Sequence, residues 1–594
     1  MTTQEKLQAI RELMTQKGLD AYIIPPTDPH QSEYIPDHWK TREWVSGFTG
    51  SAGTVVITQN FAGLWTDSRY FIQAEAQLKN SGIELVKLKI PHTPEYIDWL
   101  ENTLQEGQTV GIDGSVFSQA LVNATKKKLS PKGIKLNCAF DLPGKIWDDR
   151  PPISLNKVFE HDPAYAGKSR SEKIKLVRDE MKARNIDFQL ISTLDDIAWL
   201  FNLRGTDVDY NPVFIAHTLI TADKVFLFIA EEKLPESIQE SLLQDNVTIM
   251  PYNSVYDELG KIGLGQHILF SSAKISHHLF LSIPPTCKKT DDIAITTILK
   301  ACKDEKEVKN IRNALIKDGV ALVKFFRWLE QNIDKTEITE VTIDEKLTAF
   351  RAQQQGFIGN SFGTIAGYKD HGAIIHYSAT TDTAYIIKRE GILLLDSGGQ
   401  YMDGTTDITR TICLGKPTDE QITDYTLVLK GLIKLSMAYF PEGTKGFHLD
   451  ALARFALWQQ GKNYGHGTGH GVGYFLNVHE GPQGISPNPA LNFPLKEGML
   501  QSNEPGFYPE GKYGIRLENL ILVVPHIETE YGRFLQFETL TLFPMEMKLI
   551  DLDLLTEEEK GWLNRYHRKV FQNLSPKLSP EENQWLLEKT REVK

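Results

Sequence analysis

Asp396 and Asp407, eleven positions apart in LLLDSGGQYMDGTTDITRT, are followed by His470 in GHGTGHGVG, Glu504 in QSNEPGFY and Glu518 in GIRLEN. Four carboxylates gathered in one apolar pocket would repel one another and hold protons unless about four positive charges sat between them. Two divalent metal ions meet that requirement. Oxygen-rich donors with a single imidazole suit manganese, cobalt or zinc, and two such ions about 3.5 to 4 Å apart clamp a hydroxide between them. Taken singly, an aspartate after an apolar strand ordinarily caps a turn, and a lone glutamate ordinarily lies on a solvated face. The ordered set D-x10-D, H, E, E is specific, because every member closes or follows a strand-like or glycine-rich segment where side chains converge.

The segments around these residues have the form needed to bring them together. GILLLD is a buried-strand pattern, and SGGQYMDG supplies turn residues for a hairpin back into TDITRTI, which places Asp396 and Asp407 on neighbouring strands. In IRLEN the strand period of two puts Arg516 on the same face as Glu518. Glycines at 467, 469, 471 and 473 argue against a helix, although His466 and His470 have i, i+4 spacing. HExxH is absent, and no Lys-Ser/Thr pair follows the glycines as a phosphate-binding loop requires; AGKSRS at 166–171 also fails, since Asp162 stands where its first glycine should be. The glycines are expected to let backbone approach the metals closely.

The elements upstream are organised as a repeat. EKLQAIRELMTQKGLDAYII from Glu5 matches EKIKLVRDEMKARNIDFQLI from Glu172 at a constant offset, aligning Lys6 with Lys173, Arg11 with Arg178, Met14 with Met181 and Asp20 with Asp187. Each copy reads as an amphipathic helix followed by a short apolar strand, continued by strand-like GTVVI at 53–57 and KVFLFIA at 224–230. Pro-rich seams at 142–156 and 282–292 mark passages between domains, giving domains at 1–155, 156–300 and 301–594. The third opens with a helix over 303–332 that turns Val308, Ile311, Ala314, Leu315, Leu322 and Phe325 inward. Beyond about residue 550 come two helices with capping-box starts, Thr556 with Glu559 and Ser579 with Glu582. The last of these packs either on the third domain or on a partner subunit.

A chain of 594 residues exceeds what one hydrophobic core supports. Its 41% hydrophobic and 24% charged content is that of a soluble globular protein. With 77 acidic against 65 basic residues, the formal charge of −12 disfavours nucleic acid as a partner. Four cysteines, Cys138, Cys287, Cys302 and Cys413, lack zinc-knuckle or redox spacing and read as buried free thiols. MTTQEKLQAIRELMTQKG lacks an apolar signal core and no long apolar run occurs, so a cytoplasmic protein without a membrane partner is expected.

The stretch from about 303 to 545 resembles the pita-bread metallopeptidases, the group of methionine aminopeptidase, prolidase and aminopeptidase P. WVSGFTGSAGT at 44–54, WTDSRYF at 65–71, IIHYSAT at 374–380, HGTGHGVGYFLNVHEGP at 466–482 and NEPGFY at 503–508 extend the resemblance nearly end to end, to the long three-domain cytosolic form of aminopeptidase P. The resemblance implies an α/β fold with two related N-terminal α/β domains and a C-terminal pita-bread catalytic domain. It further implies that Asp396 binds one metal ion, His470 and Glu504 the other, and that Asp407 and Glu518 bridge both. Glu504 would double as general base, His479 would hold the scissile carbonyl or oxyanion, and His376 would meet substrate from the opposite wall. His466, Tyr508 and Arg516 would surround a proline ring. The implied reaction releases the first amino acid from peptides with proline second, with manganese as the metal, zinc or cobalt remaining open. A homodimer is implied too. The alternatives are an Xaa-Pro dipeptidase with the same ligands and, from a different class, a catalytically silent scaffold of the same fold.

Overall fold

The repeated segment folds twice in the same way. In the computed structural model, which describes residues 1–90 and 93–594, helix Thr3–Lys17 precedes strand Ala21–Ile24, and helix Arg170–Ala183 precedes strand Phe188–Ile191. Both helices start with a capping box, Thr2 with Glu5 and Ser169 with Glu172. They bury matching residues, Leu7, Ile10 and Met14 in the first and Ile174, Val177 and Met181 in the second. Polar contacts repeat as well. Arg11 Nε donates to Thr58 O at 2.9 Å and Arg178 Nε to Thr221 O at 3.0 Å. Lys6 and Lys173 each lie over a tryptophan ring, Trp44 at 4.3 Å and Trp199 at 4.6 Å. Ser169, in the segment that fails as a phosphate loop, is a helix cap.

Each copy builds a six-stranded mixed sheet. The first runs Glu84–Lys87, Ala62–Thr66, Thr54–Thr58, Ala21–Ile24, Thr109–Gly111, Lys135–Asn137; the second runs Val247–Met250, Val225–Phe228, His217–Thr221, Phe188–Ile191, His267–Phe270, Lys288–Asp291. Parallel and antiparallel pairings follow the same order in the two. The seam expected over 282–292 is therefore partly structured: Lys288–Asp291 is an edge strand, parallel to His267–Phe270. Its lysines suit an exposed edge and hide it among linker-like residues.

Both sheets belong to one compact unit, Met1–His161 with Lys168–Thr296; a second unit comprises Asp162–Gly167 with Thr297–Lys594. The second unit opens with helix Glu305–Asn332, capped by Asp304 and Glu307. It buries Ile311, Ala314, Leu315, Leu322 and Phe325, while Val308 is partly buried. A six-stranded sheet in the order Tyr439–Pro441, Gly532–Thr539, Asn519–Thr529, Leu500–Asn503, Gly469–Gly471, Glu480–Ile485 stands beside a three-stranded sheet of Ile365–Tyr368, Ile392–Ser397 and Ile408–Cys413. Helices Glu557–Leu574 and Pro580–Lys589 carry the two expected capping boxes. Leu586 of the last helix joins the core cluster of Phe326, Leu329 and Phe543, and Trp585 Nε1 donates to Glu330 Oε2 at 2.6 Å. That helix therefore packs on its own unit.

The cysteines are free, but only Cys287 and Cys413 are buried, Cys138 and Cys302 being partly exposed. Among the described residues no helix is long and apolar enough to cross a membrane.

Candidate active site

Asp396 lies near the end of the central strand Ile392–Ser397, opposite Thr409 on Ile408–Cys413, and Asp407 enters that second strand directly. The hairpin implied by the turn residues is thus present. Glu518 joins this sheet to the larger one: its N–H donates to Thr409 O at 3.1 Å, and its Oε2 accepts the Thr409 hydroxyl at 2.8 Å. His470 sits in the short strand Gly469–Gly471, and Glu504 follows the neighbouring strand Leu500–Asn503, its N–H donating to Thr468 O at 2.8 Å.

These elements gather the five candidate ligands. One ligand atom each from Asp407, His470 and Glu518 lie within 4.8 Å of one another. His470 Nε2 is 3.5 Å from Asp407 Oδ2 and 3.4 Å from Glu504 Oε1. Arg516 NH2 bonds Asp396 Oδ2 at 2.7 Å, and Arg516 Nε also meets the Thr409 hydroxyl, so Arg516 and Glu518 do share a face.

The electrostatics call for cations. Burial drives the Asp407 carboxyl well above the ordinary carboxylate range, with Glu518, Asp396 and Glu504 adding repulsion. Glu518 is raised likewise, by burial and then by Glu504 and Asp396. Burial pushes Glu504 up to about 8, against the pull of Arg516. Asp396 Oδ1 and Glu518 Oε1 are buried without a hydrogen-bond partner. His470 Nδ1 lies 2.9 Å from Gly471 O, which only accepts, so Nδ1 carries a hydrogen and Nε2 is the nitrogen turned towards the carboxylates of Asp407 and Glu504. A ring held through Nδ1–H by a backbone carbonyl, with Nε2 facing inward, is oriented as a metal-binding histidine is. Donor chemistry, orphaned oxygens and ring orientation all fit divalent cations at this cluster.

The remaining candidates ring the cluster. The exposed His479 presents its ring 4.2 Å from that of His470. The Tyr508 hydroxyl lies between His466 Nε2 at 2.8 Å and Arg516 NH1 at 2.9 Å, and burial pushes it up to about 12. Half-buried His376 follows Ile375, whose carbonyl accepts from Arg516 NH2 at 3.4 Å.

A model of metallopeptidase family M24 matches residues 309–525, and one of its C-terminal region matches 533–593. Two creatinase/prolidase N-terminal domain models match 6–137 and 149–307. A Laccaria bicolor protein named "Probable Xaa-Pro aminopeptidase P" is 41% identical over 99% of this chain and 93% of its own length. The chain belongs to metallopeptidase family M24. It is also 41% identical to Xaa-Pro aminopeptidase 1 of Dictyostelium discoideum, over 98% of this chain and 94% of that one. A solved X-prolyl aminopeptidase from Caenorhabditis elegans, described as a cytosolic enzyme with a di-nuclear active site, superposes with a TM-score of 0.94 at 34% identity, covering 100% of both chains. The expected family and fold class are borne out: two creatinase-type domains precede an M24 pita-bread domain.

Within the M24 domain, two of the glycines of GHGTGHGVG have a packing reason of their own. A Cβ on Gly469 would lie 2.0 Å from Ser502 O, and one on Gly471 would lie 2.3 Å from Glu480 O. It is neighbouring strands, packed backbone against backbone, that exclude side chains there. Thr409 and Ser502 join the site without belonging to the expected set: Ser502 Oγ accepts from His470 N at 2.9 Å and donates to Glu504 Oε1 at 3.1 Å. A signal existed for Thr409, two positions after Asp407 on the same strand face.

Proposed function

We propose that this M24 chain hydrolyses the bond between an N-terminal residue and a following proline, releasing one free amino acid and a peptide that begins with proline. The observation that carries this reading is the end-to-end similarity to X-prolyl aminopeptidase at a TM-score of 0.94, with all five donor residues present. Asp396, Asp407, His470, Glu504 and Glu518 would hold two divalent ions. When bound, the ions supply Lewis acidity, which lowers the pKa of water and polarises the scissile carbonyl. The carboxylate-rich set favours manganese, with zinc and cobalt as the competitors.

The side chains divide the remaining work. Glu504, the partly buried carboxyl nearest His470 Nε2, takes a proton from the attacking water and delivers it towards the departing proline nitrogen. His479 donates to the oxygen on which negative charge develops. His376 contacts substrate from the facing wall. His466, Tyr508 and Arg516 form the proline pocket, kept rigid by the Tyr508 hydroxyl between the other two. Proline has no N–H and a fixed φ, so recognition rests on the ring and not on a backbone donor. A cytoplasmic location is in keeping with the cytosolic C. elegans neighbour, and the family resemblance supports a homodimer.

The test is hydrolysis of paired X-Pro and X-Pro-X peptides by chelated protein reconstituted with manganese, cobalt or zinc. Cleavage of X-Pro-X after its first residue, strongest with manganese, is expected. Activity confined to the dipeptides would indicate a dipeptidase, and hydrolysis insensitive to chelation would defeat the metal assignment.

A further inference from the structure

His376 lies in a stretch, 374–391, with no helix and no strand beyond an isolated bridge between Thr339 and Ile386. A segment so irregular keeps a side chain in place only through specific contacts. Those contacts converge on Glu340, the fully buried first residue of helix Glu340–Arg351. Its Oε1 accepts the N–H of Tyr368 at 2.8 Å, and its Oε2 accepts the N–H of Tyr385 at 2.8 Å and the hydroxyl of Tyr377 at 2.9 Å. His371 Nδ1 lies 3.0 and 2.9 Å from the two oxygens. The His371 ring is stacked between Tyr377, at 4.4 Å, and Tyr385, at 3.7 Å. One carboxylate therefore ties Tyr368 and His371, in the segments that lead into the loop carrying His376, to Tyr377 and Tyr385 within it.

The two neighbours of His376 are anchored to different things. Ile375 O accepts from Arg516, which pairs with Asp396 in the cluster, while Tyr377 donates to Glu340 on the far side. We propose that Glu340 is a positioning residue for the reaction, fixing His376 against the substrate by clamping Tyr377, His371 and Tyr385. The proposal rests on the assignment of His376 to substrate contact made above. Glu340 itself touches no reacting group. A carboxylate suits the task because it only accepts, whereas a glutamine would turn an NH2 group towards donors.

The experiment compares Glu340→Gln, Tyr377→Phe, His376→Ala and the double variant Glu340→Gln/His376→Ala on one X-Pro-X peptide, with metal content measured for each. Misplacing a positioned group by about 1 Å costs on the order of 100-fold in rate, so Glu340→Gln should lower kcat/KM by about 10- to 100-fold at full metal content. Tyr377→Phe, which deletes one hydroxyl, should lose a few-fold and serves the same purpose should Glu340→Gln not fold. Both should divide their loss between kcat and KM as His376→Ala does, and adding Glu340→Gln to His376→Ala should cost little more. Wild-type kcat/KM in Glu340→Gln or Tyr377→Phe beside an impaired His376→Ala overturns the inference alone, as does a loss that persists in full in the double variant. An unimpaired His376→Ala overturns the substrate assignment and the inference with it.

Discussion

Glu480 and Glu518 lie in the same domain and are 3% and 1% exposed, but their surroundings differ. Each oxygen of Glu480 meets a buried ammonium, Lys300 Nζ at 2.9 Å and Lys303 Nζ, so the charge is balanced by the chain itself. Glu518 has a threonine hydroxyl on one oxygen, no cation on the other, and the carboxyl groups of Asp396, Asp407 and Glu504 for neighbours. Asp318, paired through both oxygens with Arg351 at 2.8 and 3.1 Å, belongs with Glu480. Asp407 belongs with Glu518. A buried carboxylate with both oxygens paired to cations of the chain holds the fold together; one with an oxygen left without a donor, as in Glu518 and Asp396, is a place for a cation from solution.

The widest separation between the two kinds should appear on Glu504→Gln. Losing a ligand and the proton acceptor at once should cut kcat/KM by about 1,000-fold or more, about 4 kcal/mol, while the chelated protein melts no lower than wild type. Near-normal turnover with metal bound would remove Glu504 from its role. Next comes Glu480→Gln, which leaves two buried lysines without their shared anion and should cost about 3 to 5 kcal/mol, seen as a lower denaturation midpoint of the M24 domain. Glu518→Gln in chelator should cost nothing or raise the midpoint, since it removes repulsion. Equal losses from Glu480→Gln and Glu518→Gln would erase the distinction.

Much of this is legible in the sequence. Helices announced themselves by apolar period and capping residues, as in Thr3–Lys17 and Glu557–Leu574. The repeat predicted duplicated α/β domains, and the metal candidates stood out by their order and spacing as a set, since each residue alone has a plainer reading. What escaped was pairing across distance. Nothing near Glu480 in the chain points to Lys300 or Lys303, nothing near Glu340 points to Tyr377, and both glutamates read locally as ordinary polar residues. A carboxylate's function is decided by what the fold brings to face it. Lys288–Asp291 escaped for a related reason: an edge strand needs no apolar face, so its residues look like a linker.

A third kind of buried group sharpens the contrast, one kept neutral. His567 is fully buried, its Nε2 accepts the N–H of Met545 at 3.2 Å, and burial, helped by the charge of Arg410, lowers its pKa to about 4. The unfolded chain, near the ordinary value of about 6.5, takes up the proton first as pH falls. This contribution to stability is therefore whole above about pH 6.5, shrinks between 6.5 and 4, and is gone below. At about 1.36 kcal/mol per pKa unit it amounts to about 3 kcal/mol. Denaturation midpoints of wild type and His567→Gln should converge across that window, and a constant difference from pH 7 to 4 would show that His567 is not held neutral.

The smallest effect tests the boundary between the two kinds of carboxylate. Thr409 stands where they meet: its hydroxyl donates to Glu518 Oε2 at 2.8 Å and receives Arg516 Nε at 3.3 Å, so it orients a ligand without being one. Thr409→Val keeps the shape and removes both bonds. Groups that orient metal ligands are worth about 10- to 100-fold in metal affinity, and a single neutral hydroxyl should fall at the low end, about tenfold or about 1.4 kcal/mol. Competition against a fluorescent chelator measures it. Were Glu518 aimed only by its backbone bond to Thr409, metal affinity would not change; a tenfold loss, with the chelated protein equally stable, would show that the hydroxyl serves cation binding and not the fold.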